Sequence, residues 1–129
     1  MRVSTYRVRR GRQTETIVAA RLAATIWPHA QPVGAGRHGA DITGTPGVLV
    51  EVKARTRLDL GAALKQARGH GQGVALVVVR LPGAGPASVG DWPVAMRLDD
   101  VIDLLRAAGY GQPLPAAVPA VGVAAVEQR

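Results

Sequence analysis

The run GVALVVV at residues 73–79 constrains the fold more than any other segment. It is short for a helix, and its valines favour a strand. No polar residue alternates with the apolar ones, so both faces of this strand call for burial. A strand of that kind belongs inside a sheet with helices packed against it. The remaining segments must supply its neighbours and its cover.

They do so in a regular order. Residues 1–10 are basic, lack clear periodicity and read as an arm. From Arg12 to Trp27 the pattern is helical, with Val18, Leu22 and Ile26 at i+4 spacing and Pro28 as the stop. Residues 30–33 read as a short strand and 34–39, GAGRHG, as a loop. Asp41–Thr43 is a second strand, GTPG at 44–47 a tight turn, and Val48–Ala54 a third strand. Asp59 is placed to cap a helix over Leu60–Arg68, with Leu60, Leu64 and Ala67 on one face. After the apolar strand come a loop at 81–93, a strand at 94–97 and an amphipathic helix Leu98–Ala108 with Asp99 and Asp100 in its first turn. The order α-β-β-β-α-β, then β-α, predicts an α/β domain whose mixed central sheet is flanked by helices. The domain is expected over residues 1–110, with a Pro/Ala/Val-rich tail at 111–129.

Composition narrows the class. A chain of 129 residues, 47% hydrophobic, suits one modest core, and the absence of Phe leaves Val, Leu, Ile and Ala to fill it. Without cysteine there is neither a disulfide framework nor a thiolate metal site. No uncharged apolar run reaches membrane-spanning length, and MRVSTYRVRRGR lacks a signal-peptide core, so no membrane and a cytoplasmic address are expected. The net charge of +7 favours a polyanionic partner, and residues 1–60 hold ten Lys/Arg against four carboxylates.

Three of those four carboxylates sit where a core is expected. Along the third strand Val48, Val50 and Val52 form one face, and Leu49, Glu51 and Lys53 the other. Asp41, across the turn, is ten residues from Glu51 and able to approach it. Two carboxylates that close repel unless a cation lies between them, and oxygen donors of this kind suit Mg²⁺ or Mn²⁺. Glu15 lies on the same stripe as Val18 and Leu22, so the first helix would carry it toward the sheet. Each residue alone has an ordinary reading: a polar pair on a half-exposed strand, a solvated helix carboxylate, a turn aspartate. All three in this order, with Lys53 two residues beyond Glu51, point to a metal-assisted site.

The layout resembles the PD-(D/E)XK nuclease superfamily over roughly residues 10–80, with Glu15 on the first helix, Asp41 at the second strand and Glu51-Val52-Lys53 on the third. GADI and EVKA are similar to archaeal-type Holliday junction resolvases and their phage and bacterial relatives, although Ala40 stands where the superfamily name has Pro. The resemblance implies a restriction-endonuclease-like core and a Mg²⁺-dependent endonuclease acting on branched DNA, in the cytoplasm of a bacterium or encoded by its phage. Asp41, Glu51 and the Val52 carbonyl would hold Mg²⁺, with Mn²⁺ as a substitute. Glu15 would join them directly or through water. Lys53 would orient or deprotonate the attacking water, or stabilise charge developing on phosphorus, and Gln66 would be the glutamine that several branches carry on the next helix. Arg10, Arg12, Arg37, His38, Arg55, Arg57, Lys65 and Arg68 flank the acidic positions and are the candidate phosphate contacts. A homodimer is expected, because cutting two strands in one encounter needs two sites.

Two rival readings stand beside this one. One is a nuclease of the same superfamily with another substrate: restriction-like, exonucleolytic, RNA-cleaving or of the VRR-NUC type. The other is a catalytically silent nucleic-acid-binding subunit. GAGRHG satisfies G-x-G-x-x-G but opens no helix, so it is not read as a dinucleotide site. His29, His38 and His70 are too scattered in sequence to suggest zinc.

Overall fold

The computed structural model describes residues 5–34, 39–55 and 57–112. The chain divides into two compact units, the first ending at Met96 and the second starting at Arg97.

In the first unit the elements follow as helix α1 (Thr5–Thr25), strands β1 (Gln31–Pro32), β2 (Ile42–Thr43) and β3 (Val48–Lys53), helix α2 (Leu60–Arg68), strand β4 (Val74–Val79), a 3₁₀ turn at Pro86–Asp91, and strand β5 (Val94–Ala95). The five strands make one sheet in the order β1-β2-β3-β4-β5. β1/β2, β2/β3 and β4/β5 are antiparallel, whereas β3 and β4 run parallel. The parallel pair needs a crossover, which α2 supplies.

The apolar run is the sheet's fourth strand, and both of its faces are used. Val78 joins Val50 and Val52 of β3 in a cluster with Val18 and Ala19 of α1 and with Trp92. Ala75, Val77 and Val79 pack on the other face with Ala63 and Ala67 of α2. The two helices therefore cover opposite faces of the sheet.

The turn between β2 and β3 fixes the register of the charged residues. The Val48 N–H donates to the Thr45 carbonyl at 3.0 Å, and the Thr45 hydroxyl donates to the Val48 carbonyl at 2.9 Å. Gly44 is required here: its φ is +82°, and a Cβ would collide with the His29 carbonyl oxygen. Asp59 caps α2 by accepting from the Ala62 N–H at 2.9 Å.

Three expectations need correction. The basic segment is no separate arm from Thr5 onward, because α1 begins there and carries Arg9, Arg10 and Arg12 on its first three turns. Ile26 is exposed, since the helix ends at Thr25 and the chain turns there. Leu60 is also exposed, and Ala63 and Ala67 make the buried face of α2; their small side chains let the helix lie close on β4.

The second unit contains helix α3 (Leu98–Ala107), whose first turn carries Asp99 and Asp100 beside Arg97. The tail beyond residue 112, and Arg37 and His38, lie outside the described residues.

Candidate active site

β3 carries the centre of the site. Its alternation sends Val50 and Val52 toward α1, and Glu51 and Lys53 toward α2. Glu51 is almost fully buried, with its side chain 3% exposed. Lys53 Nζ lies 3.4 Å from Glu51 Oε2 and donates to Gln66 Oε1 at 3.1 Å. The last turn of α2 thus holds the lysine head beside the carboxylate.

Asp41 enters from the start of β2. Its backbone N–H donates to the Val50 carbonyl at 3.0 Å, and its carbonyl accepts from Val33 at 2.9 Å. Its carboxylate accepts from the Val52 N–H at 2.8 Å, so the side chain is aimed at the middle of the Glu51-Val52-Lys53 stretch.

Glu15 comes from α1, from the helical position that follows the fully buried Thr14. Burial, then the charges of Asp41 and Glu51, push its carboxyl up to about 7 against the opposing pull of Arg12. Glu51 is raised as well, first by burial and then by Asp41, with Lys53 and His70 opposing. The three carboxyl groups therefore share one electrostatic environment. Among the described ion pairs Lys53 stands closest to Glu51, at 3.4 Å.

His70 is the residue sequence reasoning missed. Its Nε2 stands 3.5 Å from Glu51 Oε1, and both atoms are buried without a hydrogen-bond partner. No sequence signal marks it, because His70 lies in the turn just beyond α2, which ends at Arg68 with Gly69 as its cap.

Among the described residues no three of His, Asp and Glu converge as a preformed metal cage. Mg²⁺ does not need one, since one or two carboxylates plus water commonly hold it. The donor set fits such an ion: hard oxygen ligands only, mutual repulsion that a cation would relieve, and a buried Glu51 Oε1 with unused acceptor capacity. Asp41 and Glu51 would be the direct ligands, with Glu15 completing the acidic wall.

Of the candidate phosphate contacts, Arg12, Arg55, Arg57, Lys65 and Arg68 are exposed and Arg10 is half-buried. They lie on α1, which carries Glu15, on the β3–α2 connection that follows Lys53, and on α2, which carries Gln66. No helix among the described residues is long and apolar enough to cross a membrane. No family model matches the chain, and neither a curated protein nor a solved structure matches it.

Proposed function

We propose that the chain is a Mg²⁺-dependent DNA endonuclease with a restriction-endonuclease-like core, acting on branched DNA as a homodimer. The observation that carries this reading is Glu51, buried and paired with Lys53 at 3.4 Å, within the electrostatic reach of Asp41; burial first and neighbouring carboxylate charge second raise the affinity of Glu51 and of Glu15 for protons. A fold gains nothing in stability from such an arrangement, and like-charged carboxyl groups are a common mark of a working site.

Hydrolysis forms a bond from a water oxygen to phosphorus and breaks the bond to the leaving sugar oxygen, which takes up a proton. A bound divalent cation supplies charge neutralisation at phosphorus and makes water a stronger acid. The chain's own residues supply the rest. Asp41, fixed by the Val52 N–H, and Glu51 hold the acidic pocket in place. Lys53, held by Glu51 and Gln66, presents its ammonium to the attacking water or to the phosphoryl oxygens. Exposed arginines on the neighbouring segments contribute the phosphate contacts of the duplex arms.

The preference for branched DNA and the dimer rest on the sequence resemblance. A panel of labelled linear duplex, flap, single-stranded and four-way junction DNAs, incubated with Mg²⁺, tests them. Preferred cleavage of the junction is expected. Preferred cleavage of linear or single-stranded DNA would assign another substrate, and binding without cleavage of any would favour a silent binding subunit.

A further inference from the structure

We propose that Arg80 is a positioning residue for this site, locking the turn of α1 that precedes Glu15 to the strand ends that carry Lys53. The inference rests on the nuclease reading above.

Arg80 directly follows β4, and its backbone N–H donates to the Lys53 carbonyl at 2.8 Å. Its side chain turns to the opposite face of the sheet from Lys53 and reaches α1. One terminal nitrogen donates to Gln13 Oε1 at 3.2 Å and to Thr14 Oγ1 at 3.1 Å, the two residues before Glu15. Nε donates to the Ala84 carbonyl at 2.8 Å, and the guanidinium lies 5.3 Å from the centre of the Trp92 ring. A single residue therefore joins the backbone of Lys53, the helix of Glu15 and the loop after β4.

The chemistry of this position is unusual for a packing role. Arg80 is 5% exposed, and no carboxylate pairs with it among the described residues. Its partners are neutral oxygens and an aromatic face, while burial and the nearby Arg10 charge both disfavour the charged guanidinium. Where only packing is needed, an apolar side chain of similar volume is commonly as stable or more so. What an apolar residue lacks is a rigid, planar set of donors that fixes several acceptors at once. That property is wanted here, because the charges of Asp41 and Glu51 act against an ionised Glu15 on α1. Two hydrogen bonds immediately before Glu15 hold that part of α1 in place.

The test compares Arg80→Met, Arg80→Lys and Thr14→Val with the wild-type chain, all first checked for folding by circular dichroism. Cleavage kinetics are read in Mg²⁺, and Mn²⁺ affinity by electron paramagnetic resonance. Arg80→Met is expected to lower kcat by ~10- to 100-fold while KM changes by less than ~3-fold, as suits a misplaced group away from the DNA contacts. Arg80→Lys, which keeps the charge but loses the fork, should fail to restore kcat. Thr14→Val removes one acceptor with little change in volume and should lower kcat in the same direction; it carries the test with Arg80→Lys if Arg80→Met does not fold. Arg80→Met should also weaken Mn²⁺ binding, and in a Glu15→Gln background it should weaken it no further, because the two residues act as one unit. Unchanged kcat in the folded Arg80 and Thr14 variants, or equal weakening of Mn²⁺ binding with and without Glu15, overturns the positioning role and leaves the nuclease reading intact. A wild-type chain that neither cleaves DNA nor binds Mn²⁺ overturns both.

Discussion

Replacing Glu15 by Gln should make the metal-free protein more stable at neutral to alkaline pH, while removing a residue of the proposed site. The carboxyl of Glu15 is raised from 4.5 to about 7, mainly by burial and then by Asp41 and Glu51. A folded-state value above the unfolded one means that the native chain binds the proton more tightly. The associated stability is fully present below about pH 4.5 and is lost as pH rises through about 7. At about 1.4 kcal/mol per pH unit, the full loss is on the order of 3 kcal/mol, and solvent screening at a half-buried group brings it to roughly 1–2 kcal/mol. Glutamine has nearly the shape of the protonated acid and cannot ionise. Urea unfolding of both proteins in EDTA, at about pH 4.5 and about pH 8, isolates the effect, because the constant difference between amide and acid cancels. The advantage of Glu15→Gln over wild type should grow by roughly 1–2 kcal/mol between the two conditions. An advantage that stays constant or shrinks would refute the claim that burial and the neighbouring carboxylates hold Glu15 above its ordinary value.

Three further outcomes follow from the same structure. With four to eight phosphate contacts from the arginines and lysine around the site, DNA affinity should fall with salt at a log–log slope of about −4 to −7; affinity that does not change between low and moderate salt would contradict this. Gly44→Ala should destabilise the protein by at least about 1 kcal/mol in urea unfolding, because a side chain there is strained and meets the His29 carbonyl; an unchanged midpoint would mean the β2–β3 turn does not depend on this backbone. Sedimentation at micromolar concentration should show twice the 13.4 kDa chain mass, with and without DNA; a clean monomer would favour a nicking or exonucleolytic enzyme.

The element order was legible because it rests on strong local signals. The apolar run at 73–79, the glycines around the β2–β3 turn and the Asp59 cap each have one dominant conformation available. Strand alternation likewise places Glu51 and Lys53 on one face, but the helical stripe through Val18 packs α1 on the other face with Val50 and Val52, so that stripe alone does not bring Glu15 to Glu51. The misplaced helix faces have a tertiary cause. Leu60 is the more apolar residue, yet Ala63 and Ala67 are buried, since close approach of α2 to β4 favours small side chains. Two contacts were hidden for a different reason. His70 meets Glu51 across a crossover, and Arg80 meets Gln13 and Thr14 across 67 and 66 residues of chain. Neither pairing leaves a periodic trace, and a lone histidine or arginine in sequence is most often a solvated one.

The central claim is that Asp41 and Glu51 hold a divalent cation whose chemistry Lys53 assists. The most direct measurement is cleavage of labelled DNA by the wild type, Asp41→Asn and Glu51→Gln, side by side in Mg²⁺ and in EDTA, with DNA binding followed in parallel. The expected result is cleavage by the wild type in Mg²⁺ alone, none by either variant, and DNA binding retained or strengthened in both because each loses a negative charge near phosphate. Cleavage that persists in EDTA, or robust cleavage by both variants in Mg²⁺, would place the chemistry elsewhere.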